Sequence, residues 1–247
     1  MATDPGTGGR VERNRKRRAD AYLRAGLRII TDEGFDALTM GRLSEELDTA
    51  VGAVYHYFPS KGQLITAIQA GAIERLAASH DRSIDPVVEA VVEQTGDDAV
   101  LVRLLVLGRW FCAAAEALPE EVRLLQMINA RRGSALGEDG GNALLPVTLD
   151  LLRRIVEVVE QADATGMIRP GSAMARTVMW AGALGGVLAT EDLDRYLPGV
   201  AGTGQLGRQL NVDLCVGWGA DVAAVERIDR AIDDVARSIP LAQGAST

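Results

Sequence analysis

The sequence is poor in the residues that most enzyme chemistry needs. Its 247 residues hold two histidines, His56 and His80, and two cysteines, Cys112 and Cys215. No His/Cys cluster has the close spacing of a metal site. No G-x-S-x-G or P-loop occurs. The glycine-rich run 133–141 lacks a Lys-Ser/Thr pair and follows a helical pattern rather than a strand, so it reads as a mobile loop. No apolar run reaches the roughly 18 to 20 residues a membrane helix needs; the longest, Thr177–Thr190, is shorter and rich in Gly and Ala. No membrane partner is therefore expected. The first twenty residues are polar and basic, without the apolar core of a secretory signal. In a reducing cytoplasm, the expected location, both cysteines read as buried free thiols, because each lies in an apolar helical pattern. Strand-period alternation is also missing. The expected class is all-α, with no catalytic residues, no metal and no cofactor.

Positive charge is scarce overall but concentrated. The net charge is −8, which taken alone argues against a nucleic-acid partner. From Arg10 to Arg28, however, eight basic residues face only Glu12 and Asp20, a net of +6. From residue 62 to the end, 16 basic residues stand against 25 acidic ones, a net of −9. Such a chain attracts phosphate at one end and repels it from the body. Residues 1–14 are expected to be a disordered basic leader, and Arg15, Lys16, Arg17 and Arg18 a DNA-touching arm.

Next comes a helix expected over about Arg17–Glu33, with Leu23, Leu27 and Ile30 in one stripe and Gly34 as its C-cap. The stretch Thr39–Lys61, TMGRLSEELDTAVGAVYHYFPSK, then reads as two short helices joined by a tight turn. Thr39 caps the first, before Met40, Leu43 and Leu47 on one face. The second fits Val51–Phe58 and stops before Pro59. Ser60 and Gln63 form a capping box that opens the next helix. This is the helix-turn-helix layout, whose second helix enters the DNA major groove.

The residues GFDALTM at Gly34–Met40, followed by GAVYHYFPSK at Gly52–Lys61, resemble the DNA-binding domain of the tetracycline-repressor (TetR) family of one-component regulators. The resemblance covers roughly residues 18–68. It departs at the turn, where the family usually has Gly-Val-Ser and this chain has Asp48-Thr49-Ala50, so the second helix is expected to take its cap from Asp48 or Thr49. The resemblance implies that Val51, Ala53 and His56 face base edges, with Gly52 exposed among them. It also implies that Thr39, Tyr55, Tyr57 and Lys61 touch the backbone. Arg42 adds a contact to guanine or to phosphate. His56 is the one side chain of the set that can hydrogen-bond a base edge. Tyr55 has a second reading, as a core aromatic.

The body is expected to be helical over residues 61–240, with a tail at 241–247. A helix from Ser60 ends near Ser79–Asp81, and a short helix at Pro86–Gln94 is possible. Ala99–Leu118 is apolar nearly all round, hence central. Pro119 opens a helix with Glu120 and Glu121 in its first turn. Helices follow at Leu144–Ala164, Ser172–Thr190 and Leu210–Trp218, with a looser stretch at Leu193–Gly207, and Asp221 caps Val222–Ile239. In the resembling family two C-terminal helices of each chain pair with those of a second copy. The dimer surface expected here is Arg176–Thr190, with its small residues Gly182, Gly185, Gly186 and Ala189, plus the Val222–Val235 stripe. An alternative is that one or both are intrachain core.

Candidate ligand residues are Arg103, Arg109, Trp110, Phe111, Met127, Met167, Met174, Met179 and Trp180, on the body helices. A buried arginine needs a partner, which a ligand carboxylate or an internal acid can supply. The reading is a homodimeric transcriptional regulator of a pseudo-palindromic operator in double-stranded DNA, a repressor released by an apolar or amphipathic small-molecule effector. Its rival is a regulator whose body binds a protein partner instead.

Overall fold

The computed structural model describes residues 5–130, 138–190 and 202–243. Within them every regular element is helical. In chain order these are α1 (Pro5–Glu33), α2 (Met40–Glu46), α3 (Val51–Tyr57), α4 (Lys61–Thr95), α5 (Ala99–Ala117), α6 (Pro119–Ala130), α7 (Glu138–Ala164), α8 (Ala173–Leu188), α9 (Thr203–Gly217) and α10 (Val222–Val235). They fall into two compact units. One holds Met1–Ala72 and Arg123–Pro146, the other Ile73–Val122 and Val147–Thr247.

The first unit is built on α1–α3. α1 begins at Pro5 rather than Arg17, so the expected disordered leader is helical from that point. Arg, Lys and Glu are strong helix formers, and Glu12 stands four residues before Lys16 in the favourable orientation. Gly34 ends α1 at φ +94°, its N–H bonding the Ile30 carbonyl at 2.9 Å. Tyr22, Leu27 and Ile30 pack with Leu38, Met40, Leu43, Val54, Phe58, Leu64, Ile68 and Leu124 in one core. Contact is close at Gly26, where a Cβ would lie 2.5 Å from Ile68 Cδ1. The Thr39 hydroxyl accepts from the Arg42 amide at 3.0 Å and that of Ser60 from the Gln63 amide at 3.2 Å, as expected. The turn differs from expectation. Neither Asp48 nor Thr49 caps α3; the N-cap is Ala50, which has no side chain to do so. Asp48 instead takes the left-handed position, at φ +47°.

The second unit carries the rest of α4 and most of α5–α10. α4 does not stop near Ser79–Asp81 but runs unbroken to Thr95, with Pro86 inside it. Pro86 lies on the exposed side, while Leu76, Ser83, Ile84, Val87, Val88 and Val91 continue the buried stripe in phase past it. Burial of that stripe outweighs the one helical bond that proline removes. α5 is central as expected, with Leu101, Val102, Leu104–Leu107, Trp110 and Ala114 buried. α9 lies close against it. A Cβ on Gly108 would fall 2.0 Å from Asn211, and one on Gly207 would fall 2.3 Å from Cys112 Sγ.

Two expected irregular stretches are partly helical. Residues 138–141 of the glycine-rich run belong to α7, and 203–207 of the looser stretch belong to α9. The parts of these stretches at 133–137 and 193–201 lie outside the described residues, as does the tail beyond 243. α10 corrects the expected dimer surface. Val225, Ile228 and Ile232 are fully buried and Val235 nearly so, all within this unit, while Val222 is 52% exposed, so the stripe from Val225 onward is intrachain core. On the same helix and just past its end, Asp234 pairs with Arg237 at 3.0 Å. On α8 the opposite holds. Met174, Val178 and Met179 are more than half exposed or close to it, and Cβ atoms added to Gly182, Gly185 and Gly186 would meet open space.

Candidate nucleic-acid interface and body cluster

α3 presents Val51, Gly52, Tyr55 and His56 to solvent, with Ala53 half-buried, while Val54 and Phe58 anchor the helix in the core. Tyr55 is 50% exposed and so is not a core aromatic. Tyr57 serves both sides. Its ring lies 5.3 Å from that of Tyr22 and 5.6 Å from that of His56, and it is half-buried. Lys61 is the first residue of α4 and half-buried.

Thr39 and Arg42 are already engaged. The Thr39 hydroxyl caps α2. Arg42 donates to Glu46 at 2.8 Å and to Glu33 at 2.9 Å. The Glu46 hydrogen bond, reinforced by Glu33, raises the Arg42 pKa further. Contact with guanine or phosphate requires this pairing to open.

Arg15, Lys16, Arg17 and Arg18 sit on the helical arm formed by the front of α1, all exposed. A groove of about 480 Å³ runs between that arm and α3, lined by Glu12, Arg13, Arg15, Lys16, Tyr57 and Phe58. Cationic side chains beside an exposed reading helix form a phosphate-attracting surface.

In the body the expected ligand residues are not brought to one place. Met127 packs against the core of the first unit. Met179 is 57% exposed and Met167 half-buried. Arg103 pairs with Asp85 at 2.6 Å. Arg109 bonds Asp229 at 2.8 Å and also meets Asp233, while Arg208 meets the same two acids at 2.6 and 2.5 Å. Both arginines thus find internal acids, the second of the two partners expected for them. The aromatics do group: Phe111 lies 6.3 Å from Trp110 and 5.6 Å from Trp180, ring to ring.

The sequence reading passed over four polar residues. Asn211 is buried, accepts the Trp180 indole N–H at 3.0 Å and donates to the Leu105 carbonyl at 3.1 Å. Ser79, His80 and Ser83 are buried on α4, in a segment expected to be a fraying end. Ser79 Oγ accepts from Trp110 Nε1 at 3.5 Å and from the Gln243 amide at 3.3 Å. The available signal was spacing: 76, 80, 83 and 87 keep one helical face, which a helix stopping at 81 would not need.

Among the described residues the chain is helical, with an N-terminal helix-turn-helix, a cationic arm beside the exposed α3 and a larger helical body. Residues 23–68 match the family described as bacterial regulatory proteins, tetR family. Over 76 residues the chain is 37% identical to the HTH-type transcriptional repressor KstR of Mycolicibacterium smegmatis, covering 31% of this chain and 36% of that protein. The match therefore spans about a third of the curated relative's length. Among solved structures, a bacterial regulatory protein of the tetR family from Rhodococcus RHA1 superposes with a TM-score of 0.62 at 16% identity, over 82% of this chain and 97% of that one. AibR in complex with isovaleryl coenzyme A and operator DNA superposes with a TM-score of 0.59 at 18% identity, over 78% and 96%. At such identities the likeness is one of fold.

Proposed function

We propose that the protein is a sequence-specific DNA-binding transcriptional repressor, working as a homodimer and released from its operator by an apolar or amphipathic small molecule bound in the body. The observation that carries this is the pairing of an exposed α3 face with the cationic arm of α1. Val51, Gly52 and Ala53 offer no hydrogen-bonding side chain, so His56 is the main polar reader, and the arm and DNA shape supply the rest of the recognition. The exposed apolar face of α8 supports self-association. Two copies then address half-sites about 34 Å apart or a multiple of that. The ligand part of the reading is supported by the AibR structure, which holds isovaleryl coenzyme A together with operator DNA.

Selection of bound duplexes from a random pool tests the reading. A single pseudo-palindrome should emerge, and uniform retention of all duplexes would overturn sequence specificity. Lys61→Ala should weaken every duplex alike and lower the salt slope by about one phosphate. His56→Ala should change preference at one base step more than overall affinity.

A further inference from the structure

Buried polar atoms without a partner are rare in folded proteins, and each is costly. Two of them stand three residues apart on α4, where they share one face of the helix. His80 Nε2 and Ser83 Oγ are both buried and unbonded. Ser83 is 1% exposed and His80 9%.

The hydrogen-bonding role of each atom can be worked out. His80 Nδ1 lies 3.0 Å from Asp81 Oδ1. Burial opposes ionisation of Asp81, but the hydrogen bonds from His80 and Arg154 outweigh it and hold its carboxyl below the ordinary range. Asp81 is therefore an ionised acceptor at neutral pH, and Nδ1 must carry the proton. Burial also pushes the His80 pKa down, against the pull of Asp81, so the ring is neutral. A neutral imidazole with its proton on Nδ1 leaves Nε2 a bare acceptor. The Ser83 hydroxyl both donates and accepts. A third buried atom without a partner, Arg154 Nε, belongs to the arginine that pairs with Asp81, and it is a donor. The indole of Trp110 stands edge-on to the His80 ring at 5.3 Å and is itself 2% exposed.

The group that satisfies this cluster must donate to one nitrogen and accept from a neighbouring hydroxyl or N–H. A hydroxyl does both. A carboxylate would set a negative charge and no donor against the Nε2 lone pair. An ether can only accept. The geometry points to His80 and Ser83 as the polar end of an effector site in the second unit, taking the hydroxyl group of an otherwise apolar, uncharged molecule. This rests on the reading that the body binds a small molecule, and it adds the chemical class and the residues that recognise it.

The test uses the full chain with 1-octanol and 1-methoxyoctane, which differ in the hydroxyl donor, and with octanoate. Binding is followed by calorimetry. Octanol should bind at least tenfold tighter than the ether or the acid. His80→Leu should abolish that preference and Ser83→Ala should reduce it severalfold. In the unsubstituted protein, ¹⁵N NMR should show His80 Nε2 as an unprotonated nitrogen whose resonance moves towards the hydrogen-bonded value on adding octanol and stays fixed on adding the ether. This second readout does not depend on a variant folding. Equal binding of octanol and ether would overturn the hydroxyl assignment while leaving a ligand-binding body. An Nε2 resonance unmoved at saturating octanol, or no binding of any probe, would overturn the site. Neither result bears on operator selection, whose failure would sink the DNA reading instead.

Discussion

Asn211 accepts the indole N–H of Trp180 at 3.0 Å through an amide that is 1% exposed, and the same amide donates to the Leu105 carbonyl. One side chain thus ties α8, α9 and α5 together at the centre of the second unit. Asn211→Leu leaves the indole donor buried without a partner and should cost about 2–3 kcal/mol in urea denaturation. Trp180→Phe removes the donor and should weaken the effect of Asn211→Leu. Equal effects in both backgrounds would mean the bond contributes nothing.

The neighbour of that amide is Gly108. A Cβ there would lie 2.0 Å from the Asn211 side chain. Gly108→Ala should therefore destabilise by about 1–3 kcal/mol, as overpacking does. Gly108→Ala combined with Asn211→Ala should cost less than the two singly, because the second change clears the space needed by the first. Strict additivity in a thermodynamic cycle would contradict this.

The turn before α3 can be improved. Asp48 holds a left-handed conformation that costs a non-glycine residue about 1 kcal/mol. Asp48→Gly should stabilise the chain by about 0.5–1 kcal/mol. Ala50→Ser supplies the missing cap and should add about 0.5–2 kcal/mol. Both are measured as a rise in melting temperature with the selected duplex preference unchanged.

Burial pushes the Cys112 thiol up to about 11 and the Cys215 thiol up to about 12. Both thiols should be silent to a thiolate-specific reagent at pH 8 in the folded chain and react on unfolding. Their contribution to stability is intact below the ordinary thiol value of 9.0 and is lost as pH rises from there towards 11–12, because the unfolded chain releases protons that the folded chain retains. Replacing both with alanine should flatten the alkaline limb of a stability–pH curve.

The face of α8 bearing Val178 and Gly182 is exposed. Val178→Glu should halve the mass seen by light scattering without lowering the helical content. A mass equal to one chain before the substitution would remove the homodimer from the proposal.

The first unit was legible because its signals are local. Thr39, Gly34 and Ser60 act within a few residues of themselves, and the apolar spacing of Leu27, Ile30, Leu43, Val54 and Phe58 marks a core without further information. The second unit was less so, since its outcomes depend on partners far along the chain. Pro86 looks like a stop until the buried stripe beyond it is counted. The stripe of Val225, Ile228 and Ile232 looks the same whether a second copy or α5 and α9 cover it. Arg109 interrupts an apolar helix, and only the fold brings Asp229 and Asp233 to it. The leader before Arg15 was read as disordered because charge density is visible in a sequence while the helix running back from Tyr22 is not.

Gly52 is exposed in the middle of the reading helix, and a Cβ built on it meets no atom within 4 Å. The position is an unoccupied slot facing outward, flanked by Val51 and Ala53, which also carry no polar group. New side chains can be written there without touching Val54 or Phe58 beneath. A library at positions 51 and 52 would retune the DNA address proposed for this scaffold while its stability stayed the same, which makes the proposed reading helix a rewritable part.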